Sequence, residues 1–467
     1  MIAEEKINEA ISTNEKAFLG NLRTIMQIPS VKGSSEKDAP FGKGPKKALE
    51  AIVPIIEKCG FKAKIVNNAM AYAQWGDDDE NYIGIIDHLD VVPVGDKWKF
   101  NPWDLSDENG RLYGRGILDN KGPALATLWA MKILKDLGYR PKRTIRLVFG
   151  SDEENGSKDV PLYLEKEKPP IFGWTADCKY PVVYGERGIV NYCIFTPILD
   201  GSLSQIKNLQ GDMSKDHVPD ELSIEIKNKQ VESHGIRVPS NAPEMGKNAI
   251  TYLAKKIVDE NLVSGQLNNY FKWIVKALHQ KHYGEGLGIE FHDNDSGKLI
   301  MTPTGLNIEN NGMRIEIAIR YPVSYQEKQI TAGIKNNIPV DSNIKVIRSI
   351  PSVMHDKNSK FIQILSEVYE KVTGLDGTPV TTTGATYARV MPNIIAFGPS
   401  FPGQKGIAHK ENEWMDLDDL LLSIKIYMRS LERLGSLDIE RKYLLCHGEQ
   451  LQLGEWQMKE SKRLVQF

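Results

Sequence analysis

Five apolar runs of this chain stop at, or just before, a side chain of a type that binds metal ions. The endings are "DHLD" with His88, "GILDNKG" with Asp119, "SDEENGS" with Glu153 and Glu154, "TADCKY" with Asp177, and "GIAHKENE" with His409. A short apolar run bounded by polar residues reads as a buried strand, and in open α/β sheets binding groups collect at the carboxyl ends of strands. Groups hundreds of residues apart can then meet at one sheet edge. His88 and Asp90 show the same geometry locally, because residues i and i+2 of a strand face the same side.

The intervening segments fit that plan. Apolar residues at helical spacing from Lys46 to Lys58, ended by Cys59 and Gly60, precede a strand expected over Tyr82 to Ile86. "PALATLWAMKILKDLG" reads as a helix with Pro123 in its first turn and Gly138 at its C-terminal cap. Further strands are expected at Thr144 to Phe149 and around "PPIFGWTADCKYPVVYG", the latter holding Asp177 in its middle. Helix alternating with strand predicts an α/β fold. From about Ile189 the texture changes, with strand-like "LSIEIKN" and "MRIEIAIRYPV" and helices expected at Ala249 to Asp259 and Asn268 to Gln280. This section reads as a second α/β domain inserted in the first. "MPNIIAFGPSFPG" and the amphipathic "DLDDLLLSIKIYMRSLERLG", with Asp416 as N-cap and Gly435 past its end, return to the first domain. The expected boundaries are 1–188 and 381–467 for the first domain and 189–380 for the insert. The tail after Gly435 is open to packing or subunit contact, so both a monomer and a homodimer are compatible with the sequence.

Composition removes several function classes. Lys and Arg number 59 against 61 Asp and Glu, a formal charge of -2, and no dense basic block could track a nucleic-acid backbone. No apolar run approaches the roughly 20 residues that cross a bilayer. The opening "MIAEEKINEAISTNEKAFLG" is acidic and lacks the features of a signal peptide, so a cytoplasmic protein is expected. Cys59, Cys178, Cys193 and Cys446 form no CxxC pair, which argues against a disulfide framework and a thiolate zinc site.

Two imidazoles and several carboxylates without a thiolate suit Zn²⁺, with Mn²⁺ or Co²⁺ as substitutes. One catalytic ion takes about three protein ligands, whereas five or six are on offer here. Two ions sharing a carboxylate would use them all, and two ions about 3.5–4 Å apart can hold a hydroxide between them. Glu153 and Glu154 are adjacent, so their side chains diverge. One is expected to bind metal and the other to face water as a general acid/base. Taken singly, each group has a plain structural reading: "DEEN" a solvated turn, Asp119 with Asn120 and Gly122 turn chemistry, His88 a buried structural ring. Their joint occurrence points to hydrolysis.

In order, "HLDVVPVGDKW", "LYGRGILDNKGP", "SDEENGSKD", "DCKYPVVYGERG" and "AHKENE" resemble the metal-site segments of the co-catalytic zinc peptidases and deacylases. That family includes carboxypeptidase G, acetylornithine deacetylase, succinyl-diaminopimelate desuccinylase and carnosinase. Within it the chain is most similar to dipeptidases of the dipeptidase V (PepV) type. The resemblance implies a catalytic domain with a mixed sheet flanked by helices, an inserted α/β lid, and two Zn²⁺ per chain. It implies that His88 and Asp177 hold one zinc, that Glu154 and His409 hold the other, and that Asp119 bridges them through a residue followed by a cis peptide. Glu153 becomes the general base and Asp90 the group that orients His88. Asp90 and Glu153 are then expected nearest the substrate's free amino end. "ESHGIRVPSNAPEMGKNAI" places His234 as an oxyanion donor, and "IAIRYPV" places Arg320 on a substrate carboxylate. "TTTGATYAR" resembles a binding loop with Gly384, Thr386 and Tyr387 aligned. Asp216 departs from the pattern, standing where the family often has an asparagine that supports the oxyanion. The function implied is a dipeptidase acting on small peptides. The alternatives are an amidohydrolase of N-acyl amino acids, a non-catalytic metal-binding homologue, and a structural calcium site, the last poorly served by histidine ligands.

Overall fold

The computed structural model describes residues 1–437; the rest of the C-terminal tail, with Cys446, lies outside the described residues. The chain forms two compact units. The first comprises Met1–Tyr184, His355–Val380 and the chain from Ala385 onward; the second comprises Gly185–Met354 and Thr381–Gly384.

The first unit is built on a mixed sheet. Four neighbouring strands, Thr144–Gly150, Tyr82–His88, Phe172–Thr175 and Ile394–Phe397, run parallel. Met70–Trp75 and Lys62–Val66 extend it antiparallel on one side, and Val182–Glu186 pairs antiparallel with Ile394–Phe397 on the other. Side chains alternate across the sheet with the period of two that a pleated strand imposes. Ile83, Ile85, Ile145, Leu147 and Phe149 join the core formed with helices Glu4–Met26, Lys43–Lys58, Lys121–Asp136, Lys360–Thr373 and Leu417–Leu434. Ile86 and Val148 join a smaller core with Val160, Tyr163 and Tyr387. Helix Lys121–Asp136 is buried over most of its length, which explains why its sequence is apolar around the whole circumference.

Because the four strands are parallel, their carboxyl ends lie at one edge. His88 ends its strand, and Glu153 and Glu154 follow Gly150 in a short 3₁₀ turn. Asp177 lies beyond the end of Phe172–Thr175, not in the middle of a strand as the sequence suggests. The ladder with Tyr82–His88 stops at Trp174, so the aspartate falls in the loop that leaves the edge. Asp416 occupies the N-cap position of Leu417–Leu434, but its carboxylate accepts from Arg111 Nε at 2.9 Å instead of capping the helix.

The second unit has its own core around Val190, Tyr192, Leu253, Phe271, Ile315 and Ile317. An antiparallel sheet orders Ile300–Glu309, Gly312–Tyr321, Gly188–Pro197 and Asn343–Ile350; a second contains Ile206–Gly211, Glu221–Ile226 and Lys229–His234. Helix Gly265–Leu278 starts earlier than its local pattern indicates. Its first free N–H groups are accepted by side chains from far upstream, Gln266 N by Asp200 Oδ2 at 2.7 Å and Leu267 N by Ser202 Oγ at 3.1 Å.

Two glycines face each other in the parallel sheet, Gly84 opposite Gly173. A Cβ on residue 173 would stand 1.6 Å from the Gly84 carbonyl oxygen, so the two backbones approach closer than any side chain permits. Gly173→Ala is expected to destabilise the protein by about 2–3 kcal/mol through overpacking, read as a lowered urea midpoint with unchanged slope.

Candidate active site

The strand ends of the first unit bring six of the predicted groups together. His88 Nε2 stands 3.1 Å from Asp119 Oδ1 and 3.6 Å from Asp177 Oδ2. His409 Nε2 stands 3.0 Å from Asp119 Oδ2 and 2.9 Å from Glu154 Oε2. Asp119 therefore turns one oxygen toward each imidazole. Ligand atoms of His88, Glu153 and Asp177 lie within 4.8 Å of one another, as do those of His88, Asp119 and Glu154. His88 is fully buried, while the His409 side chain is 53% exposed. His409 also adopts a left-handed backbone, φ 63°, a conformation unusual for a non-glycine residue and often found at functional positions.

Buried polar groups fix the backbone that carries these side chains. The Asp119–Asn120 peptide is cis. Asn120 then ties two strand ends together: its Oδ1 accepts from His88 N at 3.2 Å and its Nδ2 donates to Ala176 O at 2.5 Å. Asp87 Oδ1 accepts Ala176 N at 2.7 Å, fixing the residue before Asp177. Asp159 accepts Ser151 N at 2.7 Å and Asp152 N at 3.0 Å, at the entry to the Glu153 turn. Gly122 is required at its position because a Cβ there would stand 2.0 Å from the Ile117 carbonyl oxygen. Asn120, Asp87 and Asp159 are not picked out by sequence reasoning, although each stands within the segments that carry the motifs.

Two expectations change. Asp90 does lie behind His88, but its carboxylate is 3.5 Å from Nδ1, whereas its backbone carbonyl is 2.9 Å away and receives the Nδ1 proton. The carboxylate instead accepts Glu153 N and Glu154 N, each at 3.2 Å, and is buried, so it has no face toward a substrate amine. Tyr387 is likewise fully buried and offers no surface to a substrate. Its hydroxyl donates to Asp159 and its ring meets His88 edge-on, with centroids 6.3 Å apart. Thr386 caps its own short turn, Oγ1 accepting Ala388 N at 3.1 Å. His234, Arg320 and Gly384 belong to the second unit. His234 ends its strand 72% exposed, 3.6 Å from Glu232, and Arg320 sits mid-sheet between Ile189 and Ile300.

Four carboxylates face two imidazoles in this cluster, and the imbalance shows in the acidities. Burial, followed by the charge of Asp177, pushes Glu153 well above the usual carboxylate range. Burial and Asp119 do the same to Asp177 and push Glu154 up to about 7. Asp119 is held well below its ordinary value: burial opposes this, but hydrogen bonds from His409 and His88 prevail. Burial also opposes charge on the imidazoles, yet the facing carboxylates raise His88 strongly and lift His409 to about 11. With Nδ1 donating to a carbonyl, Nε2 of His88 is the nitrogen that faces the carboxylates; it donates to Asp119 when protonated, and without that proton it would offer its lone pair to a cation held among them. Nitrogen and oxygen donors converging without a thiolate fit a borderline or hard divalent ion.

The sign of the pH dependence without metal follows from these shifts. Glu154, raised from 4.5 to about 7, and His409, raised from 6.5 to about 11, hold extra protons in the folded chain. Their stability contribution is present at low pH and lost as pH rises, while that of the depressed Asp119 is complete above its ordinary 3.8 and is lost only in acid. Chelated protein is expected to melt several degrees lower at pH 8 than at pH 5, and added Zn²⁺ to flatten the profile; a flat profile in chelator would contradict this electrostatic account.

Similarity to known proteins agrees with this geometry. Residues 84–433 match the model of peptidase family M20/M25/M40. The chain is 29% identical over 465 residues to the Beta-Ala-Xaa dipeptidase of Lactobacillus delbrueckii subsp. lactis, covering 91% of this chain and 97% of that protein. In structure it resembles human carnosine dipeptidase 1, with a TM-score of 0.58 at 14% identity over 93% of this chain and 99% of the other. It also resembles the aminoacylhistidine dipeptidase of Vibrio alginolyticus, with a TM-score of 0.58 at 13% identity, covering 91% and 98% of the two chains. Among the described residues no helix is long and apolar enough to cross a membrane. With a match that runs from the Tyr82–His88 strand into helix Leu417–Leu434, the chain belongs to peptidase family M20/M25/M40 and is a hydrolase of that family.

Proposed function

We propose that the protein is a dipeptidase that uses two divalent cations, zinc in the first instance, to hydrolyse the peptide bond of small peptides in the cytoplasm. The observation that carries this reading is the two-sided contact of Asp119, 3.1 Å from His88 through one oxygen and 3.0 Å from His409 through the other. His88 and Asp177 would hold one cation, Glu154 and His409 the other, and Asp119 both. Bound there, the pair supplies a Lewis acid for the scissile carbonyl and makes a water acidic enough to attack near neutral pH.

The remaining work falls to side chains. Glu153 is the general base: it sits beside His88 and Asp177, and its raised proton affinity suits a group that takes a proton from water and returns it to the leaving amine. Asp90 fixes that base by holding its backbone N–H. In the second unit, which we read as a lid, exposed His234 is the donor for the developing oxyanion, Arg320 the partner of the substrate's carboxylate, and Gly384 part of the binding loop. Tyr387 and Thr386 support the site and do not touch substrate. The dipeptidase names among the similar proteins favour a free dipeptide over an N-acyl amino acid.

Glu153→Gln is expected to lower kcat by about 10²–10⁴-fold while leaving metal content per chain unchanged. Unaltered turnover with metal bound would remove Glu153 from the mechanism. A simple dipeptide should be cleaved at least tenfold faster than its N-acetylated form, and the reverse preference would identify an amidohydrolase.

A further inference from the structure

We propose that Glu413, together with Arg115, is a positioning residue that locks the His409 loop to the Asp119 loop and so builds one of the two cation positions. This rests on the two-cation reading above. Glu413 stands four residues after His409 and is buried, as is Arg115. Its Oε1 accepts Leu118 N at 2.9 Å and Asp119 N at 3.1 Å, and Gly116 N lies 3.2 Å from both carboxylate oxygens. Arg115 Nη1 donates to Oε2 at 2.6 Å, and its Nη2 donates to Pro93 O at 3.2 Å. The backbone repeats the tie, because Trp414–Asp416 pairs antiparallel with Arg111–Tyr113 and Gly114 N donates to Glu413 O at 3.1 Å.

The residue type matters here. Three main-chain donors and one guanidinium converge on a single side chain, and a carboxylate offers acceptors on both of its oxygens. Glutamine has the same shape but one acceptor. Its amide N–H₂ must oppose either the three backbone donors or Arg115, and a buried clash of donors leaves groups unsatisfied in either orientation. The effect should be much larger at the His409 end, because Asp119 serves both positions but the His88 end has separate ties through Asn120 and Asp87. A general loss of fold would spare neither end.

Zn²⁺ titration of metal-free full-length protein against a chromophoric chelator tests this. Wild type is expected to bind two ions. Glu413→Gln is expected to bind one ion near wild-type affinity and the other 10–100-fold more weakly, the range seen when an outer partner of a metal ligand is removed. Metal-free wild type and variant should show similar circular dichroism. Arg115→Lys keeps the charge but loses the fork, and is expected to weaken the same ion by a smaller factor; it also carries the test should Glu413→Gln not fold. Two ions held at wild-type affinity by the variants, or both ions weakened equally, would overturn the inference while leaving the two-cation reading intact. A wild type that binds fewer than two ions would overturn that reading and the inference with it.

Discussion

Mutual repulsion among buried carboxylates is the constraint around which the first unit is organised. Asp119, Glu153, Glu154 and Asp177 cannot all be ionised at close quarters in a low-dielectric site without positive charge among them. Two imidazoles offset part of that charge. The remainder sets the demand for cations, and the demand is met only if the carboxylates stay where they repel. Something other than their own interactions must hold them there.

The holding groups are themselves carboxylates, turned outward. Asp90 accepts the N–H groups of Glu153 and Glu154, Asp159 those of Ser151 and Asp152, Asp87 that of Ala176, and Glu413 that of Asp119. Each segment bearing an acidic ligand in the strand-end cluster is thus fastened by a buried acid that accepts main-chain hydrogen bonds. Bonds of this charge-assisted kind are stronger than those from a neutral amide, and an ionised acid can serve several donors at once. The outer acids fix geometry, and burial in turn pushes Asp87 and Asp159 up to about 7. Asn120 does the same work without charge between the ends of two strands.

The inner ring was legible in the sequence because its signals are local: an apolar run, then a ligand-type residue, repeated five times. The outer ring was not. Asp87, Asp159 and Glu413 stand in the same short segments as the ligands, but nothing in their spacing says which of two neighbouring acids turns inward. That depends on which backbone donors the fold brings opposite, a matter of tertiary register. Asp90 lies behind His88, yet its carboxylate accepts from Glu153 N and Glu154 N, some sixty residues away. The loop around Tyr387 reads as a substrate contact, and only the packing of Asp159 and His88 around it shows why it is buried. The apolar run continues past Asp177 and so reads as strand, although the ladder has already ended. The local pattern starts helix Gly265–Leu278 late because its caps come from a distant turn.

The two ends of the cluster differ in their access to water. His88 is sealed, whereas the imidazole of His409 is 53% exposed on a loop with a left-handed backbone. The His409 end is therefore the side of the cluster that solvent reaches first, and a reagent arriving from bulk water meets that imidazole before any other group of the ring.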